Sequence, residues 1–221
     1  MIISSQGFLI HSRKYRETSS IVNFFTSEKG VQSLLFKGKY TNKDRYRFSI
    51  FNEYIFTFDD KYNLPYLSKC EHVHDYCFDK KYYLLGLYVN ELLYKTSREG
   101  FDFDKIYKRY KDFLVILSNS SDSSNKLALF FEKNLLQDLG YELTVCDKDI
   151  SHNANYTYSF GEGFKKSISP MDNMSVSGQN LELFLDNMMS DEKEVIKFRS
   201  IIKNIFSNVY PDLRLTGDRL F

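Results

Sequence analysis

At 221 residues, with 43 % apolar and 17 % aromatic side chains, the chain has material for one large or two small packed domains, which excludes disordered and fibrous classes. Thirty Lys and Arg against 29 Asp and Glu leave a formal charge of +1, so the molecule carries no global field for a polyanion and any such signal is local. No stretch approaches the roughly 18 apolar residues of a membrane span, the opening MIISSQGFLIHSRKY is too short and strand-like for a signal peptide, and Cys70, Cys77 and Cys146 form no even disulfide set; these features lead to the expectation of a cytoplasmic protein with reduced thiols.

From Gln6 to about Val73, short alternating or apolar runs separated by turn signals predict a small all-β unit. The strands are expected at Gly7 to Ser12, Ser20 to Thr26, Val31 to Lys37, Phe51 to Phe58 and Tyr66 to Val73. Gly30, able to take positive φ, closes a hairpin after Ser27, Glu28 and Lys29, and Asn63 with Pro65 marks a second turn. Five short strands in roughly 70 residues match a five-stranded OB-like barrel better than a sandwich.

After Asp79, a candidate N-cap, the period becomes helical: Tyr83, Leu84, Leu87, Tyr88, Glu91, Leu92 and Lys95 recur at three- and four-residue spacings. Amphipathic segments follow at Phe103 to about Leu117 and Lys126 to Leu139, joined by a polar linker, Ser118 to Asn125, with no means of packing. Gly140 is a helix C-cap. Residues 141–176 are turn-rich, with alternation from Tyr156 to Phe160 that predicts a short hairpin, and two last helices are expected at about Gly178 to Met188 and Asp191 to Val209. The fold class is therefore α+β: residues 1–78 as the barrel, residues 79–221 as a helical domain with an insertion at about 141–176.

Residues 1–50 hold nine basic side chains against three acidic ones, a net of +6. Two clusters stand out. Arg13, Lys14, Tyr15 and Arg16 follow the first strand; Lys37, Lys39, Tyr40, Lys43, Arg45, Tyr46 and Arg47 follow the third. As loops, both would let cations reach phosphates while tyrosine rings stack on unpaired bases, an interaction of about 1–3 kcal/mol per base that tolerates any sequence. Ordinary solvated loops would look the same in composition.

Cys70, His72, His74 and Cys77 raise a rival reading, a metalloenzyme, because three of them alternate onto one strand face. Ligands at i, i+2 and i+4 on an extended strand, however, span about 13 Å, too far for one zinc unless the strand bends. No phosphate loop, nucleophile elbow or HExxH motif is present. Glu91 and Glu132, isolated acids among apolar helix residues, read as buried hydrogen-bonding groups before they read as acid–base catalysts. No cofactor or metal is expected.

Gly7 to Ser19 (GFLIHSRKYRETS), Phe25 to Gly30 (FTSEKG) and Phe36 to Lys39 (FKGK) resemble the barrel signature of the bacterial recombination mediator family RecO, and Gly86 to Leu93 (GLYVNELL), Phe131-Glu132 and Leu139 to Tyr141 (LGY) resemble its helical motifs in the same order. The resemblance implies an OB barrel followed by a helical domain. It further implies a non-enzymatic DNA repair and recombination protein that binds single- and double-stranded DNA, anneals complementary strands, docks on the C-terminal tail of single-strand-binding protein, and works with RecR in loading RecA. In that reading Lys126, Phe131, Leu135, Leu139 and Tyr141 form the partner-tail groove, although Phe131, Leu135, Leu139 and Tyr141 read first as plain helix core. The chain departs from its relatives in three places: only Cys146 stands where many carry a four-cysteine zinc site, the C-terminus reads LRLTGDRLF (Leu213 to Phe221) in place of a basic L-K-S-R-type element, and Leu129 and Phe130 stand where arginines precede the F-E motif. An RNA-binding OB module is the other reading that the barrel loops allow.

Overall fold

A computed structural model of the chain describes residues 1–37, 48–97, 101–147, 149–167 and 174–217. They gather into two compact units, Met1–Ser120 with Leu215–Phe221, and Ser121–Arg214.

The first unit is built on an antiparallel sheet of β1 (Ile2–Tyr15), β2 (Ser19–Thr26), β3 (Gly30–Lys37), β4 (Glu53–Asp59) and β5 (Leu67–His74), in the order β3-β2-β1-β4-β5. All five strands fall where the periodicity expects them, although β1 is longer at both ends. It is the shared central strand, paired through its first half with β4 and through its second half with β2, and those two partners hold the extra residues extended. Gly30 has φ +64 and closes the β2–β3 hairpin, where Thr26 Oγ1 donates to the Gly30 carbonyl. The sheet curls, but it does not close into the expected barrel: among the described residues its edges meet in one parallel bridge between Leu35 and Tyr66, with the Leu35 N–H donating to the Pro65 carbonyl at 2.8 Å.

Alternation gives the sheet two apolar faces. Leu9, Val22, Phe24, Leu34, Tyr54, Phe56 and Phe58 pack together on one, with Phe24 stacked on Phe56 at 4.2 Å. Phe8 points the other way, toward Tyr107 and Tyr110 at 4.9 and 5.1 Å. That second face is covered by α1 (Lys80–Thr96) and α2 (Phe103–Asn119), so the first unit runs on past residue 78. Asn90 Nδ2 donates to the Ile10 carbonyl and its Oδ1 accepts from Tyr110, which satisfies a buried amide between α1, α2 and β1. Asp79 occupies the α1 cap position, but its side chain accepts no cap bond; its carbonyl takes the Tyr82 N–H instead.

The second unit contains α3 (Ser124–Asp138), a sheet of β6 (Asn155–Ser159), β7 (Gly163–Lys166) and β8 (Val176–Ser177) in the order β7-β6-β8, α4 (Gly178–Leu185) and α5 (Glu192–Val209). Gly140, at φ +86, ends α3: its N–H reaches the Gln137 carbonyl and that of Tyr141 reaches Leu136, the paired bonds of a Schellman cap. The expected hairpin is β6–β7. The supposed unpacked linker is shorter than expected and pinned at its end, because Ser123 caps α3 and both Ser123 Oγ and Asn125 Nδ2 donate to Glu192.

Candidate nucleic-acid interface

Backbone register decides where the basic clusters lie. Tyr15 pairs with Ser19 and Ser19 with Lys37, so these three residues form one row across β1, β2 and β3 at the end of the sheet. The second basic cluster therefore begins two strands, about 10 Å, from the first. Phe36 and Phe48, the described apolar residues flanking the stretch 38–47, meet ring to ring at 4.9 Å. Lys39, Tyr40, Lys43, Arg45, Tyr46 and Arg47 lie outside the described residues.

The first cluster is not the loop that the sequence suggests. Arg13, Lys14 and Tyr15 are the last residues of β1, opposite Ile21, Ser20 and Ser19, because β2 returns immediately and its backbone pairs them. Arg16 begins the turn with φ 56 and lays its guanidinium over the Tyr15 ring at 5.3 Å. Strand alternation then separates the cations: Arg13 and Tyr15 share a face with Lys37, whereas Lys14 stands with Ser20 and Phe36 on the other. Arg13, Lys14, Arg16 and Lys37 are exposed and Tyr15 is half-buried.

Two further aromatics join this end of the sheet. Lys37 Nζ lies 4.1 Å from the ring centroid of Tyr66, and Tyr62 meets Tyr66 edge to face at 5.7 Å. Both tyrosines sit about the β4–β5 turn that Asn63 and Pro65 announce. Sequence reasoning missed them, since it is the long-range Leu35–Tyr66 bridge that brings that turn to Lys37.

The groove residues of the second unit are distributed differently. Phe131, Leu135 and Leu139 are core, none more than 5 % exposed. Lys126 pairs with Asp122 at 2.9 Å and Tyr141 is half-buried; they occupy opposite ends of α3, roughly 20 Å apart. Leu129 is buried as well. The F-E motif has a structural partner: Arg199 of α5 donates to Glu132 at 2.8 Å, both side chains being almost wholly buried. Glu91 likewise holds structure, accepting from the backbone N–H groups of Thr216 and Gly217 at 2.9 Å each, from Thr216 Oγ1 and from Lys95.

On β5, Cys70, His72 and His74 stand opposite Phe56, Tyr54 and Glu53. His72 Nε2 engages Asp75 at 2.8 Å and His74 packs edge-on against Tyr76 at 4.5 Å. Among the described residues, no three His, Cys, Asp or Glu side chains converge as a metal site, and the metalloenzyme reading gains no support from these contacts.

Comparison with known proteins divides the chain close to where α1 begins. Residues 1–76 match the family model described as recombination protein O N terminal, and residues 77–192 match recombination protein O C terminal. A DNA repair protein RecO from Actinobacillus pleuropneumoniae serotype 7 is 27 % identical over 195 residues, covering 85 % of this chain and 81 % of that one. One from Polynucleobacter necessarius is 30 % identical, covering 69 % and 64 %; one from Coxiella burnetii is 25 % identical, covering 89 % and 88 %. An asparaginyl-tRNA synthetase of Entamoeba histolytica superposes with a TM-score of only 0.33 at 10 % identity, over 97 % of this chain and 59 % of that one, a likeness too slight to bear on fold or function.

Proposed function

Since the chain belongs to the RecO family of DNA repair proteins, we propose that its first unit binds DNA through the basic, tyrosine-bearing end of the sheet and that the protein acts as a recombination mediator rather than an enzyme. The row Tyr15–Ser19–Lys37 carries this reading, because it sets the two clusters of a segment with net charge +6 side by side. Arg13, Arg16 and Lys37, continued by Lys39, Lys43, Arg45 and Arg47, contact phosphates, Lys14 reaches them from the opposite face, and Tyr15, Tyr40 and Tyr46 stack on bases. Binding is then salt-sensitive with little sequence preference.

Annealing requires no bond to be made or broken by the protein. Neutralising phosphates on two strands lowers their mutual repulsion and raises their local concentration, and base pairing follows. Docking on the tail of single-strand-binding protein belongs, in this proposal, to the second unit, with the peptide running along α3 between Lys126 and Tyr141 above the buried Phe131, Leu135 and Leu139. The family relationship supports cooperation with RecR in loading RecA and a place in the bacterial cytoplasm near the nucleoid. Among the described residues no helix is long and apolar enough to cross a membrane.

The test is fluorescence anisotropy with single-stranded DNA at several salt concentrations. Neutralising Arg13, Arg16 and Lys37 together should weaken binding and shrink the salt slope by about 0.7 for each phosphate that the protein no longer neutralises. An unchanged affinity and slope would place the DNA elsewhere on the protein.

A further inference from the structure

Tyr62 and Tyr66 have no part in the core that their size would suit. Tyr62 is 57 % exposed and Tyr66 is 36 % exposed. Their rings meet at 79°, so each presents a plane nearly perpendicular to the other, and the Lys37 ammonium lies over Tyr66. The group is held in place from below: the Tyr66 backbone bridges Leu35, and Lys37 is the last residue of β3, in the row that leads to Tyr15 and its Arg16 cap.

We propose that Tyr62, Tyr66 and Lys37 form a stacking platform for an unpaired nucleotide of single-stranded DNA, and that this platform makes the protein discriminate single from double strands. The proposal rests on the reading of the first unit as a DNA-binding surface and adds to it the element that senses strandedness. An exposed tyrosine face accepts any base, but only one whose own face is free, which a base inside a duplex lacks. A lysine contacts the phosphates of either form. The division of labour therefore follows from chemistry: rings select the unpaired state, and the cation adds affinity for both states.

The experiment measures the intact protein against a single-stranded oligodeoxynucleotide carrying 2-aminopurine, whose fluorescence is quenched on stacking, and against the duplex of the same sequence. Tyr62→Ala/Tyr66→Ala should lower single-strand affinity between about fivefold and about a hundredfold, reduce the quenching, and leave duplex affinity and the salt slope unchanged. Tyr62→Phe/Tyr66→Phe, which keeps both rings, should behave as wild type. Lys37→Gln should weaken both DNA forms and reduce the salt slope. If the double alanine variant does not fold, Tyr62→Ala alone, at a ring with little packing to lose, gives the same comparison. Undiminished single-strand binding by a folded alanine variant, or equal losses on single strand and duplex, overturns the platform while the DNA-binding reading stands. Failure of the wild-type protein to bind either DNA overturns both.

Discussion

Glu53 is 1 % exposed and accepts hydrogen bonds from Tyr107 Oη at 2.6 Å, Gln6 Nε2 at 2.8 Å and Lys111 Nζ at 3.1 Å. Burial pushes its carboxyl up, but the bonds from Tyr107, Gln6 and Lys111 outweigh it and hold the group below its ordinary value of 4.5. Tyr107, donating to that carboxylate from a buried position, is pushed well above the usual phenol range. A lowered carboxyl stabilises the fold fully above pH 4.5, and this contribution is lost as pH falls through the native value. Glu53→Gln should therefore cost about 1–3 kcal/mol at neutral pH, where it leaves Lys111 and Tyr107 short of their charged acceptor, and much less at a pH low enough to protonate Glu53 in the folded protein. Urea unfolding of both proteins at the two pH values checks this; an equal loss at both would mean that ionisation of Glu53 is not the source.

Between elements, the joint of α3 and α5 is ionic as well as apolar. Arg199 donates to both oxygens of Glu132 and to Asn125 Oδ1, while Phe184 of α4 stacks on Phe198 of α5 at 4.3 Å. Removing one partner of a buried pair leaves a charge with no compensation, whereas removing both does not. Arg199→Met should cost about 3–5 kcal/mol, and Glu132→Leu/Arg199→Met should cost clearly less than the sum of the two single changes. Equilibrium unfolding in a double-mutant cycle measures it, and additive losses would mean that the two residues stabilise independently. The alternation that marks the strands was legible here, as were Gly30 and Gly140 at their turns, because those preferences are settled within a few residues. Asp79 shows where local reading stops: the residue type suits a cap, yet its side chain makes no cap bond.

At the scale of the molecule, the chain returns to its first unit at the C-terminus. Glu91 clasps Thr216 and Gly217 from 125 and 126 residues away, and a β-carbon on Gly217 would lie 3.0 Å from Tyr88 Cα. Its carboxyl, pushed up by burial, is drawn below the ordinary range by Lys95, Gly217 and Thr216. Deleting residues 215–221 should strip Glu91 of these donors, destabilise the first unit by about 1–3 kcal/mol, and raise hydrogen exchange in α1 while α3 and α5 keep their protection. Equal exchange gains in both units would show that the clasp does not act locally.

The amino-acid sequence by itself determined the α+β class, the five strands and their order along the chain, the switch to helical period after Asp79, the β6–β7 hairpin and the concentration of positive charge in the first fifty residues. Each of these depends on side-chain period, turn chemistry or composition over short stretches. It also carried the family motifs. Only the tertiary structure decided that Arg13 to Tyr15 belong to a strand, that the sheet curls without closing, that Tyr66 comes to lie beneath Lys37, and that Phe131, Leu135 and Leu139 are core. An apolar face in sequence states that something must cover it and not what does so; the partner is chosen by the packing of the whole unit, through interactions between residues tens to more than a hundred positions apart.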